Sequence, residues 1–207
     1  MKEICKAIVW VKDFGNQEDI PYNPQKLFVM GHSAGGHLIT CASLIEFHFK
    51  DIQLSPRDIK GIISISGVMD INSMSESPIL RLIYTTQAFG CRADEWKIAS
   101  PICFINKLIK DNVEFHENDH EQLPLAKGVQ IPTKVKDIPP FLLLGAENDF
   151  KFLKRQLQSC YQAFVQAGID VTCHEIPRCN HFSIIAAFGK NINQTEALCI
   201  RFIMDRC

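Results

Sequence analysis

Hydrophobic and polar positions alternate between strand-like and helix-like patterns along most of the 207 residues. Short apolar runs bounded by turn residues are typical of buried strands, and apolar residues spaced three or four apart mark one face of a helix. The predicted strands are Lys26–Met30, Ile59–Ser66, Pro139–Leu144 and Asp170–Ile176, and the predicted helices are Glu3–Phe14, His37 to about Phe49, Lys151–Ala167 and Glu196–Met204. Strands that alternate with helices predict an α/β fold, in which a mostly parallel sheet of about four strands carries helices on both faces.

One long interval, from Gly67 to Asp137, interrupts this alternation. It contains two helical pieces, Pro78–Phe89 and Cys103–Ile109, and a polar stretch, Asp111–Gln122. This is longer than a connection between two sheet strands requires. We therefore expect one domain over residues 1–207, in which residues 67–137 form a lid or cap. A poorly ordered insertion is the alternative.

The composition excludes several classes of partner. Lys and Arg number 22 against 23 Asp and Glu, and no basic stripe or acidic tail indicates a nucleic acid or an anionic membrane surface as partner. No apolar run approaches the length of a membrane span, and the charged N-terminal residues are unlike a signal peptide. We expect an intracellular, cytoplasmic protein.

The nine cysteines do not indicate a disulfide framework, because their number is odd and their spacing irregular. Cys173, His174, Cys179 and His181 form the tightest cluster of metal-ligand residue types. Their spacing matches no familiar zinc pattern, so we predict ordinary buried thiols, no metal and no organic cofactor.

Gly31-His32-Ser33-Ala34-Gly35 places a serine between a predicted strand and a predicted helix. A Gly-x-Ser-x-Gly turn in this context exposes the hydroxyl at the carboxyl end of the strand, and the helix N-terminus directs N–H groups towards it. We predict Ser33 as nucleophile, the N–H of Ala34 as one oxyanion donor, and Ala34 and Gly35 as oxyanion or substrate contacts.

Two residues downstream complete a candidate triad in the chain order acid, then histidine. Asp149 follows the third strand, and His181 follows the fourth, so both lie at the carboxyl edge of the sheet. His181 would act as base and then as acid, while Asp149 would fix its tautomer. Glu147 is the rival acid, and His32 is expected to pack against the site rather than to titrate in the mechanism.

These segments together resemble small-molecule esterases of the α/β-hydrolase superfamily. The resemblance is carried by Gly31-His32-Ser33-Ala34-Gly35-Gly36-His37-Leu38, Ser66-Gly67-Val68-Met69-Asp70, Ala99-Ser100-Pro101-Ile102, Ile138–Gly145 with Asp149, and Asn180-His181-Phe182. The sequence is most similar to the branch that holds kynurenine formamidase and isoprenylcysteine methylesterase. This implies hydrolysis of a small carboxylic ester or an aryl formamide through an acyl-enzyme.

Two departures from the family pattern stand out. The catalytic acid of the family usually lies three residues after a glycine. The third residue after Gly145 is Asn148, so Asp149 lies one position beyond the expected place. Family members also place several strands and a His-Gly-Gly oxyanion loop before the nucleophile elbow, the Gly-x-Ser-x-Gly turn that carries the serine, and neither precedes Ser33 in this sequence. Loss of one oxyanion donor lowers the rate by about 10²–10³.

The strand before Ser33 would then have an open apolar edge, which a second copy or another partner is expected to cover. The alternative function is accordingly a catalytically impaired, truncated hydrolase that acts as a binding or interaction module.

Overall fold

A four-stranded parallel sheet forms the centre of the protein. The computed structural model describes residues 2–15, 17, 21–44, 58–75, 78–113, 135–186, 188–190 and 193–207. The strands are β1 (Leu27–His32), β2 (Ile59–Ile65), β3 (Phe141–Asn148) and β4 (Val171–Asn180). They pair in the order β1-β2-β3-β4, and every pair is parallel.

Helices connect the strands, and the predicted α/β fold class is confirmed. They are α1 (Lys2–Phe14), α2 (Ala34–Leu44), α3 (Ile71–Ser75), α4 (Pro78–Leu80), a π-helical turn (Arg81–Thr85), α5 (Thr86–Phe89), α6 (Ala93–Ile98), α7 (Pro101–Val113), a 3₁₀ turn (Val135–Asp137), α8 (Lys151–Gln166), α9 (Ser183–Ala186) and α10 (Gln194–Met204). No helix within these ranges is long and apolar enough to cross a bilayer.

The two central strands, β2 and β3, are buried on both faces of the sheet. Ile62 of β2 and Leu143 of β3 belong to the core cluster that α2, α7 and α8 cover. Their neighbours Ile63 and Leu142 belong to the opposite cluster, which contains Phe202 of α10. Strands buried on both faces carry continuous apolar runs rather than alternating ones, which explains why the sequence pattern located β2 and β3.

Several boundaries differ from the sequence-based expectation. Helix α2 begins at Ala34 rather than at His37, directly after the serine, and its predicted extension beyond Leu44 lies outside the described residues. Strands β3 and β4 continue to Asn148 and Asn180. The short helices α3, α6 and α9 were not predicted, because helices this short contain too few apolar residues to establish a period.

Strand β1 is an edge of the sheet, as expected. In the part of the chain that the structure describes, it pairs with β2 alone. Met30 on this strand exposes 51% of its surface. An unpaired strand edge presents backbone N–H and C=O groups to any neighbouring strand.

The described portion of residues 67–137 packs onto the sheet-covering helices. Val68, Ile71 and Trp96 share a buried cluster with Leu153 of α8. Both predicted helical pieces, Pro78–Phe89 and Cys103–Ile109, are helical, the first with a π-helical centre. The polar stretch Asp111–Gln122 lies outside the described residues from position 114 onward, and the assignment of 67–137 as a lid or cap stays a prediction.

Candidate active site

Ser33 occupies a sharp turn between β1 and α2. Its φ of 54° lies in the left-handed region, where a residue with a side chain costs about 1–3 kcal/mol. The backbone N–H of Ser33 donates to the carbonyl of Ile65 at 2.9 Å, which ties the turn to the end of β2. The strained strand-to-helix context that the motif requires is therefore present.

Close packing explains two of the three glycines around Ser33. A Cβ at Gly31 would lie 2.5 Å from the backbone carbonyl of Gly35, and one at Gly36 would lie 2.7 Å from Oγ of Ser64. A Cβ at Gly35 would meet nothing within 4 Å. The turn thus needs glycine at positions 31 and 36, whereas Gly35 faces open space.

Ser33, His181 and Asp149 form one hydrogen-bonded line. Nε2 of His181 lies 2.9 Å from Oγ of Ser33, and Nδ1 lies 2.9 Å from Oδ1 of Asp149. An ionised carboxylate can only accept, so Nδ1–H donates to Asp149 and Nε2 is left to accept from the Ser33 hydroxyl. His181 is 8% exposed. The structure brings these three predicted residues together in the order that nucleophilic catalysis requires.

Asp149 accepts hydrogen bonds on both carboxylate oxygens. Oδ2 accepts from Oγ of Ser66 at 2.5 Å, and Oδ1 accepts from the backbone N–H of Phe150 at 2.8 Å as well as from His181. Burial by itself raises the pKa of Asp149, but the hydrogen bonds from His181, Ser66 and Phe150 outweigh it and hold this pKa below its usual value. The carboxylate is therefore ionised at neutral pH.

Sequence reasoning did not single out Ser66 as a site residue. It directly follows β2 at the carboxyl edge of the sheet, the edge at which sites in open α/β sheets form. This position in the sequence, at the end of a predicted strand, could have indicated Ser66 as a site residue.

The loop after β4 positions His181. The register between β3 and β4 shifts between Ala146 and Asn148, so that Pro177 to Cys179 of β4 lie opposite Glu147 of β3. Beyond this bulge, Oδ1 of Asn180 accepts from the backbone N–H groups of Phe182 and Ser183 at 3.0 and 2.9 Å. These bonds fix the turn in which His181 lies.

His32 supports the same turn from the elbow. Its Nε2 lies 2.8 Å from the backbone carbonyl of His181, and the two rings lie 4.7 Å apart. Burial lowers the pKa of His32, so the ring is neutral at pH 7, with Nε2–H as the donor. The geometry agrees with the expected packing role.

Ala34 and Gly35 are the first two residues of α2. The N–H groups of a first helical turn have no carbonyl partner within the helix, and the helix dipole favours negative charge there. Both residues therefore lie where an oxyanion next to Ser33 Oγ would be stabilised. Their assignment as oxyanion donors stays a prediction.

The cysteines are free thiols, and all nine lie within the described ranges. Among the residues that the structure describes, no group of three or more His, Cys, Asp or Glu side chains is arranged to hold a metal ion. Cys173 and His174 lie side by side on β4 and therefore point to opposite faces of the sheet, while His181 is engaged with Ser33 and Asp149.

Comparison with known proteins identifies the family. A family model described as the alpha/beta hydrolase fold matches residues 1–184. The chain belongs to this α/β-hydrolase family. Kynurenine formamidase of Danio rerio is 24% identical to this α/β-hydrolase over 159 residues, which are 77% of the chain and 43% of that protein. The resemblance stated from the sequence motifs is thereby confirmed.

Solved structures of two esterases share the fold. Esterase B from Lactobacillus Rhamnosis superposes with a TM-score of 0.65 at 17% identity, covering 99% of this α/β-hydrolase and 59% of the esterase. A propionate-bound esterase from Thermogutta terrifontis superposes with a TM-score of 0.62 at 18% identity, covering 99% of this α/β-hydrolase and 64% of that esterase. The chain thus spans less than half of the curated relative and about three fifths of these two structures.

Proposed function

We propose that this α/β-hydrolase is a serine hydrolase that cleaves a small carboxylic ester or an aryl formamide through an acyl-enzyme intermediate. The observation that carries the proposal is the continuous line of hydrogen bonds from Ser33 through His181 to Asp149, with both nitrogens of His181 at 2.9 Å from their partners. A serine hydroxyl is a weak nucleophile until an oriented base takes its proton.

Each residue of the line has one task in the proposed reaction. Nε2 of His181 takes the proton of Ser33 Oγ as this oxygen attacks the substrate carbonyl, and the same nitrogen returns the proton to the leaving alcohol or amine. Water then attacks the acyl-serine ester, giving its proton to His181, and the acid is released as Ser33 regains its hydrogen. Asp149 holds the imidazole in the required tautomer and stabilises the imidazolium.

The N-terminus of α2 would stabilise the tetrahedral intermediate. The N–H groups of Ala34 and Gly35 are the donors next to Ser33 Oγ, and the positive end of the helix dipole adds to their effect.

Two aromatic side chains flank the catalytic histidine. The ring of Phe150 lies 5.0 Å from that of His181, and the ring of Phe182 lies 5.3 Å away. They expose 47% and 71% of their surfaces. Apolar rings next to His181 suit a small apolar or aromatic substrate, and both a carboxylic ester and an aryl formamide meet this description. We also propose that residues 67–137 form a cap that shapes the substrate pocket.

The second candidate function is a binding module, and the position of β1 favours it, because β1 pairs with β2 alone within the described ranges. A partner strand or a second copy would add to that edge through backbone hydrogen bonds. Labelling of the nucleophile discriminates between the two functions, because a module without turnover does not need a reactive Ser33.

The test is labelling of the purified 207-residue chain with a fluorophosphonate probe. We expect labelling that disappears in Ser33→Ala and His181→Ala, because the probe needs both a nucleophile and its base. Ser159→Ala on the exposed face of α8 and His174→Ala on β4 are matched controls that should label normally. The absence of labelling in a chain with a cooperative thermal transition would overturn the enzyme proposal.

Substrate preference requires a second assay. We would compare p-nitrophenyl acetate with an N-formyl arylamine at equal enzyme concentration. Efficient hydrolysis of the ester together with no hydrolysis of the formamide would exclude a formamidase. Hydrolysis of the formamide together with no hydrolysis of the ester would exclude a general carboxylesterase.

A further inference from the structure

The hydroxyl of Ser66 contacts the acid of the site. Oγ of Ser66 donates to Oδ2 of Asp149 at 2.5 Å, on the oxygen that His181 does not use. Ser66 is 4% exposed, and the side chain of Asp149 is 3% exposed. We propose that Ser66 is a positioning residue that orients the Asp149 carboxylate towards His181. This inference rests on the proposed function, in which Asp149 is the catalytic acid.

The backbone around Ser66 holds the hydroxyl in place. Its φ of 47° is left-handed, and its N–H donates to the carbonyl of Leu144 at 2.7 Å. The preceding carbonyl, that of Ile65, accepts from the N–H of Ser33. The end of β2 thus connects to the elbow on one side and to β3 on the other. Glycine would adopt this conformation without strain, so Ser66→Gly removes the hydroxyl without straining the backbone.

The contact decides which carboxylate oxygen faces the histidine. A carboxylate with only one oxygen held can rotate about its Cβ–Cγ bond, whose torsional preference is broad. With Ser66 on Oδ2 and with Phe150 N–H and His181 on Oδ1, such a rotation would break several hydrogen bonds at once. Hydrogen bonds to a charged group are about twice as strong as neutral ones, so this constraint is substantial.

Ser64, which lies on β2 two residues before Ser66, provides the matched comparison. It is 1% exposed, and among the described residues its Oγ has no hydrogen-bond partner. Removal of either hydroxyl deletes one buried oxygen, but only that of Ser66 reaches Asp149. A difference between the two alanine variants therefore reports the contact rather than the loss of a buried oxygen.

The experiment compares Ser66→Ala, Ser66→Gly and Ser64→Ala in the 207-residue chain with p-nitrophenyl acetate as substrate. We expect both Ser66 variants to lower kcat about tenfold at nearly unchanged KM, the rate equivalent of one lost hydrogen bond to a charged group. Ser64→Ala should keep the parent kcat. Recovery of kcat in Ser66→Gly but not in Ser66→Ala would assign the effect to backbone strain and overturn the proposal.

A double-mutant cycle adds a readout that a structural role would not change. In an Asp149→Asn background, Ser66→Ala should cause no further loss of kcat, because the carboxylate that it orients is gone. Fully additive losses would overturn the positioning role.

A titration independent of turnover separates this inference from the proposed function. Among the described residues, His181 contacts Asp149 directly, and His32 interacts with the charge of this carboxylate. Carboxyl ¹³C NMR should show that the titration midpoint of Asp149 rises in Ser66→Ala, because this variant loses a hydrogen-bond donor to the ionised carboxylate. The same midpoint should be unchanged in Ser64→Ala. An unchanged midpoint overturns the inference whether or not the chain is active. A chain without turnover that still shows the shift would refute only the proposed function.

Discussion

Oε2 of Glu147 accepts a hydrogen bond of 2.6 Å from the backbone N–H of Arg178. Arg178 has a φ of 59° and lies in the bulge of β4 that precedes His181. The carboxylate of Glu147 thus closes the bulge, while that of Asp149 contacts His181. Of the two candidate acids, the structure brings Asp149 to the histidine and uses Glu147 as a backbone acceptor.

We therefore expect opposite results from two neutralising substitutions. Asp149→Asn should reduce kcat/KM by about 10³–10⁴, because the amide donates where the carboxylate accepts and favours the wrong tautomer of His181. Glu147→Gln keeps an acceptor oxygen for Arg178 N–H and should retain most of the activity. Steady-state hydrolysis of p-nitrophenyl acetate measures both. A larger loss in Glu147→Gln than in Asp149→Asn would make Glu147 the acid.

The glycines after Ser33 should differ in their tolerance of a methyl group. Gly36→Ala would place Cβ 2.7 Å from Oγ of Ser64 and 2.9 Å from Cα of Gly67, and such overpacking typically costs about 1–3 kcal/mol. Gly35→Ala meets no atom within 4 Å and should change the free energy of unfolding by less than about 0.5 kcal/mol. Urea denaturation of both variants provides the measurement. Equal destabilisation would contradict the packing described for the elbow.

The contribution of neutral His37 to the stability of the protein should decrease as the pH falls below about 6.5. Burial lowers the pKa of His37, whose Nε2–H donates to the carbonyl of Ala99 at 2.7 Å. The unfolded chain then binds a proton that the folded chain does not, so stability is complete above the unfolded pKa of about 6.5 and is lost below it.

His37→Gln should make the dependence of unfolding free energy on pH shallower in that window, by at most about 1.4 kcal/mol per pH unit. The absolute stability of this variant will be lower, because the bond to Ala99 is altered, so the slopes are the quantity to compare. Urea titrations at several pH values provide them. Identical slopes in the two proteins would show that His37 does not titrate as its burial implies.

Two of the nine thiols should react rapidly with a disulfide reagent in the native protein. Cys91 and Cys207 are exposed, whereas burial raises the pKa of Cys173 and of Cys199 to about 11 and also raises that of Cys160. A raised pKa leaves little thiolate, which is the nucleophilic form. We expect two fast equivalents of dithiobisnitrobenzoate at pH 8 and all nine in denaturant. Fewer than nine without reductant would reveal a disulfide.

Some of these features followed from the sequence alone. Apolar runs located β2 and β3, because strands buried on both faces have few polar positions to interrupt them. Shorter stretches bounded by turn residues located β1 and β4, the two edge strands of the sheet. The Gly-x-Ser-x-Gly pattern between a strand and a helix located Ser33. The positions of Asp149 and His181, just beyond two later strands, placed them at the same edge of a parallel sheet. Each of these inferences depends only on local pattern and on chain order.

The tertiary structure decided what depends on distant residues meeting. Oγ of Ser66 reaches a carboxylate 83 positions later, and Nε2 of His181 reaches a hydroxyl 148 positions earlier. Asp149 rather than Glu147 contacts His181, while Glu147 accepts from the backbone N–H of Arg178 in the bulge of β4. The need for glycine at 36 rather than at 35 depended on Ser64 of the neighbouring strand. Hydrophobic periodicity is a local property of the chain, whereas hydrogen bonds and close contacts depend on how the sheet aligns the ends of its strands.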